Sequence, residues 1–218
     1  MLAVALEAAR RGEGRLVFVS GDAGIGKSAL VRAFCGDLSG TRVLTGACDG
    51  LRTPRPLGPF ADIAAAVPGS LEDAVAAGES AQVVFEALLE ELRSAQETVV
   101  VVEDVHWADE ATLDILGLLG RRVEQLPALV LVTYRADELA RAHPLRVVLG
   151  DLATAAGVAR LDLAPLSAVA VGELAEPYAS IPLSSTPGPV ATRSSSRRRS
   201  PAAMDRCRPR FAMPFLRG

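Results

Sequence analysis

Lysine is almost absent from this chain: Lys27 stands alone against 22 arginines. So strong a preference for arginine points to a GC-rich genome, where its codons are plentiful. Cysteine is also scarce, and Cys35, Cys48 and Cys207 show no C-x-x-C or Cys/His spacing. That excludes a disulfide framework or a zinc site and fits reduced thiols in cytosol. Long apolar runs are missing as well; "VVVV" at 99 to 102 falls far short of the roughly 20 residues that a membrane span needs. The N-terminal "MLAVALEAARRGEG" carries its arginines after the apolar part, the reverse of a signal peptide. No membrane association and a cytoplasmic location are therefore expected. No internal repeat is present.

Charge is unevenly divided. Residues 1 to 178 hold 15 basic and 25 acidic residues, whereas 179 to 218 hold eight arginines and one acid. The acidic body argues against nucleic-acid binding by residues 1 to 178, because phosphate affinity rests on excess Lys and Arg. After Tyr178 the sequence turns to Pro, Ser and Arg, with "SSSRRRSP" at 194 to 201. On composition this is a disordered basic tail.

Before the tail, apolar runs alternate with segments of helical period. "RLVFVS" (15 to 20), "RVLTGAC" (42 to 48), "TVVVVED" (98 to 104), "ALVLVTYR" (128 to 135) and "ARLDLAPL" (159 to 166) read as strands. "SALVRAFCGDL", "LGPFADIAAAV", "AQVVFEALLEELRSA" and "ATLDILGLLGRRVEQL" read as helices. Continuous apolar strands separated by helices predict a mainly parallel five-stranded sheet covered on both faces, a three-layer α/β sandwich.

"GDAGIGKS" at Gly21 to Ser28 matches G-x-x-x-x-G-K-[ST] between a strand and a helix, the setting a phosphate-binding loop requires. Its glycines let backbone amides approach phosphate oxygens, and the following helix adds its positive dipole end. Lys27 would reach the β- and γ-phosphates, and Ser28 would offer a hydroxyl to Mg²⁺. Gly21, Asp22, Ala23, Gly24, Ile25, Gly26, Lys27, Ser28 and Ala29 are the expected nucleotide-binding residues.

The acids ending the third strand, Glu103 and Asp104, are expected to serve Mg²⁺ and the attacking water, and which does which stays open. They are placed at the tip of a strand beside the phosphate loop. The usual order puts Asp first, whereas here Glu103 precedes Asp104. "TYR" at Thr133 to Arg135 is a candidate polar sensor near the γ-phosphate, or else a surface arginine after an edge strand. His106 and Trp107 either line the nucleotide or pack under the sheet rim, and His143, before Pro144, reads as a helix start. With one lysine, no guanine-reading [NT]-K-x-D segment exists, so ATP or ADP is favoured over GTP.

Five blocks in order, "GDAGIGKSALVRAF", "TGACDGLRTPRPLGPFADIA", "VVVVEDVHWADEATLDIL", "LVLVTYRADEL" and "HPLRVVLGDLA…ARLDLAPLS", resemble the P-loop ATPase domain of STAND-class NTPases, an AAA-type ATPase fold. The resemblance is to the large ATP-binding LuxR-type transcriptional regulators and covers residues 1 to 178. It implies slow hydrolysis of ATP serving as a switch, with Lys27, Ser28, Glu103, Asp104 and Arg135 in binding, metal and sensing roles. It also implies self-association through the ATPase domain, and no direct nucleic-acid binding by a fragment lacking the helix-turn-helix. Residues 1 to 166 would form the core, 167 to 178 the start of a helical lid, and 179 to 218 a tail outside the pattern. Met1 would then be an internal or miscalled start.

The family lid contains a segment like "GNPFFV". Shifting the tail's codons by one base permits "GGNPFFVAEALA", so a one-base frameshift near Tyr178 is expected. A stand-alone P-loop kinase, and a nucleic-acid binder using the basic tail, are the competing readings.

Overall fold

Alternate residues of each central strand enter two different cores, and this division builds the molecule. The computed structural model describes residues 1 to 171 apart from 52, 54, 95, 96, 168 and 169. The chain divides into two units, Met1–Val171 and Gly172–Gly218, and the second lies outside the described residues, as do most of the expected lid start and the whole expected tail.

The strands are β1 (Arg15–Ser20), β2 (Arg42–Ala47), β3 (Thr98–Glu103), β4 (Ala128–Thr133) and β5 (Val158–Asp162). All pairings are parallel, in the order β2-β3-β4-β1-β5. The helices are α1 (Leu2–Arg10), α2 (Lys27–Gly36), α3 (Gly58–Ala64), α4 (Ser70–Ala76), α5 (Ala81–Ser94), α6 (Glu110–Arg122) and α7 (Pro144–Asp151). Leu16, Phe18, Val100, Val102, Val130 and Val132 pack with α3 to α7 on one face. Val17, Val19, Val99, Val101, Leu129 and Leu131 pack with α1 and α2 on the other. A period of two thus feeds both cores, and each buried aliphatic side chain contributes about 1.5–3 kcal/mol.

The expected three-layer sandwich is present. β3 does not lie beside β1, because β4 is inserted between them. β4 is accordingly a central strand, buried along its whole length, and not an edge. The short helix α4 had no expectation in the sequence. His143 does start a helix: its Nδ1 accepts from the Leu145 N–H at 3.2 Å, capping α7 ahead of Pro144. Among the described residues, no helix is long and apolar enough to cross a membrane.

Two close approaches hold the strand ends under their loops. A Cβ built at Gly46, in β2, would fall 2.0 Å from the Pro59 carbonyl oxygen, so α3 rests directly on the strand backbone. Asp109 caps α6 by accepting from Thr112 N–H at 3.3 Å and also accepts from Leu57 N–H at 3.2 Å. The second bond anchors Leu57 at its left-handed φ of 52°.

Candidate functional site

The loop from Gly21 to Gly26 leaves β1 and turns into α2. Gly21 adopts φ 150°, and a Cβ there would meet Ile25 Cγ2 at 2.9 Å and the Leu163 carbonyl oxygen at 3.1 Å. Gly26 stands at the α2 N-cap with φ 102°, which a residue with a side chain rarely adopts. These constraints wrap the loop tightly around the Lys27 side chain. Lys27 is buried, and its ammonium donates to the carbonyls of Gly21 at 2.8 Å and Asp22 at 2.9 Å. The amides of the first α2 turn have no partner within the helix and present a positive dipole end at the same place.

Opposite the loop is the end of β3. Ser28 Oγ donates to Glu103 Oε2 at 3.0 Å, across the strand inserted between β1 and β3. The next residue, Asp104, takes a left-handed backbone (φ 57°, ψ 43°), which costs on the order of 1–2 kcal/mol in an L-residue and is mildest for Asp and Asn. Its N–H donates to Thr133 Oγ1 at 3.0 Å, so the buried β4 terminus fixes this turn. Consecutive acids thereby face different ways: Glu103 meets Ser28, while Asp104 lines the cavity.

That cavity, about 230 Å³, is lined by Gly24, Gly26, Lys27, Ser28, Ala29, Arg32, Asp104 and Arg135. The expected loop residues Gly21, Asp22, Ala23 and Ile25 are not part of this lining: the carbonyls of Gly21 and Asp22 hold Lys27, Ile25 packs close to Gly21, and Ala23 is exposed. Arg32 had not been singled out, although its position four residues after Ser28 sets both on one helix face.

Arg135 sits over the Trp107 ring, its Cζ 5.1 Å from the centroid, and pairs with Glu138. His106 is buried beneath them, its ring 4.4 Å from that of Trp107. Its Nε2 is 3.4 Å from Glu138 Oε2 and its Nδ1 is 3.9 Å from Asp104 Oδ1, yet neither nitrogen forms a hydrogen bond. Burial pushes the His106 pKa below its ordinary value, against the opposing pull of Asp104 and Glu138. His143 stands outside the cavity lining, with Nε2 3.0 Å from the His106 carbonyl oxygen.

A hydroxyl and a carboxylate oxygen in contact form a donor set suited to a hard divalent cation such as Mg²⁺. Among the described residues no group of three or more His, Cys, Asp or Glu side chains could hold a metal by themselves.

A family model described as "AAA ATPase domain" matches residues 1–132. An uncharacterized protein of Rhizobium meliloti (strain 1021) is 27% identical over 190 residues, covering 65% of this chain and 18% of that protein. The chain thus spans about a fifth of this relative. Among solved structures, the Thermotoga maritima RuvB Holliday junction branch migration motor matches at 21% identity and TM-score 0.43, covering 80% of this chain and 47% of that one. Drosophila ORC bound to DNA matches at 15% identity and TM-score 0.44, covering 74% and 84%.

Proposed function

Since this chain belongs to the AAA ATPase domain family, we propose that its cavity binds ATP and ADP with Mg²⁺ and that it hydrolyses ATP slowly as a regulatory switch. The observation carrying the reading is the glycine loop closed around Lys27, with Ser28 and Glu103 joined next to it. The Lys27 ammonium and the first amides of α2 hold the phosphates. Ser28 and Glu103 hold the cation. Magnesium bound there would neutralise charge on the phosphate oxygens. Asp104, free of Ser28 and facing the cavity, orients the attacking water, and Arg135 approaches the terminal phosphate. This assigns the metal side to Glu103 and the water side to Asp104, in keeping with the contact that Ser28 makes.

The finer role, a fragment of a LuxR-type transcriptional regulator, is supported by the five sequence blocks occurring in family order. We further propose the division into a core of residues 1 to 166, a lid start at 167 to 178, and a tail translated out of frame from 179. Sequencing the coding DNA around codon 178 tests that division: a shifted frame that does not encode a GGNPFF-like segment refutes it.

Titration of the full chain with fluorescent ADP and ATP tests the main reading. Lys27→Ala should weaken binding by about 10- to 150-fold, the equivalent of a charge-assisted hydrogen bond of about 1.5–3 kcal/mol. Unchanged affinity in a folded Lys27→Ala protein would refute it.

A further inference from the structure

Arg135 is the one cavity-lining cation whose charge is spent on an acid. Among the described residues, Lys27 bonds only to loop carbonyls and Arg32 has no ionic partner, whereas Arg135 is ion-paired with Glu138 and stacked on Trp107. Glu138 lies outside the cavity lining. Its ion pair therefore competes with whatever the cavity offers Arg135. Beneath it, His106 keeps two hydrogen-bonding nitrogens buried and unused, one of them 3.4 Å from the same carboxylate.

We propose that Glu138 and Trp107 form a latch that keeps Arg135 in reserve, and that Arg135 leaves Glu138 for the terminal phosphate of a nucleoside triphosphate. Glu138 is then a positioning residue that sets the preference for triphosphate over diphosphate. This rests on the reading of Arg135 given under the proposed function.

The strengths of the contacts allow the exchange. Both members of the ion pair are partly exposed, with side-chain exposures of 29% for Arg135 and 36% for Glu138. A pair so placed is weak and water compensates its loss. A guanidinium on a phosphate gains a charge-assisted and frequently bidentate contact, which is stronger. The released carboxylate has a new partner within reach, because a small rotation lets it accept from His106 Nε2–H. That bond satisfies one of the two orphaned imidazole nitrogens, so the latched state carries an unmet polar group that the released state repairs. Trp107 loses the cation from its face at the same moment.

The chain has a single tryptophan, so the exchange carries its own optical reporter. ATPγS with Mg²⁺ should change Trp107 emission in the full 218-residue chain, and ADP with Mg²⁺ should not. In Glu138→Gln, ATPγS affinity should rise about two- to five-fold over the parent, with ADP affinity unchanged. In Arg135→Gln, the preference for ATPγS over ADP and the emission change should both disappear. Should Glu138→Gln leave the ATPγS to ADP ratio untouched while Arg135→Gln abolishes it, the latch is wrong and the reading of Arg135 stands. A parent whose emission does not respond to saturating ATPγS equally overturns the latch. If Arg135→Gln keeps the parental ratio, the reading of Arg135 fails and takes the latch with it. Glu138 is exposed, so its replacement leaves the fold intact, and circular dichroism verifies this.

Discussion

Ser28 and Glu103 are joined by a 3.0 Å hydrogen bond between residues 75 positions apart, and Asp104, one residue further on, lines the cavity without a hydrogen bond to Ser28. Two neighbouring acids therefore have separable duties. Glu103→Gln should remove the dependence of nucleotide affinity on Mg²⁺, seen by titration with and without EDTA. Asp104→Asn tolerates the same left-handed backbone and should retain Mg²⁺-dependent binding while turnover falls about 100-fold or more, the lower reach of a positioned acid–base group. Equal effects of the two substitutions on Mg²⁺ dependence would contradict the separation.

Gly46→Ala should destabilise the fold without any direct effect on the cavity. The added methyl collides with the Pro59 backbone, which cannot rotate away as a flexible side chain would. Overpacking of this kind costs about 1–3 kcal/mol. A thermal melt should show a Tm lower by several degrees. An unchanged Tm would mean that α3 slides freely over β2.

Acid sensitivity should depend on Glu97. Arg10 donates to its carboxylate at 2.8 Å and Thr41 at 2.7 Å, tying α1 to the starts of β2 and β3. The Arg10 hydrogen bond, the largest influence, holds the Glu97 pKa below its ordinary value. A depressed carboxylate contributes stability above its unfolded pKa, and that contribution is lost as pH falls through the folded pKa. Glu97→Gln should thus be less stable than the parent at pH 7, with the gap narrowing below about pH 4. Urea melts at the two pH values measure this, and a gap that does not vary with pH would refute the assignment.

Much of the sheet was legible because its three central strands are buried on both faces: "VVVV" and "LVLV" admit no solvent-facing position. The phosphate loop was legible because its chemistry is local, lying within eight consecutive residues. Strand order was not, since β1, β3 and β4 each have a continuous apolar centre and none carries a mark of its neighbours. The orientation of Glu103 and Asp104 depends on Asp104 turning left-handed under the Thr133 hydroxyl, a contact 29 residues away in sequence. Glu138 escaped notice for a related reason. Its partner Arg135 is three residues away, but Trp107 and His106, which give the pair its setting, come from the preceding strand's end.

The placement of β1 between β4 and β5 also bears on how the chain is made. β1 leaves the ribosome before β4 and β5, yet Leu16 pairs with Val130 and Val158. At 5–20 residues per second, roughly 7 to 30 s separate its synthesis from that of its last partner strand. Throughout that interval a strand built of Leu, Val and Phe must be kept from other contacts. The phosphate loop, first among the cavity's parts to be translated, is among the last to be seated.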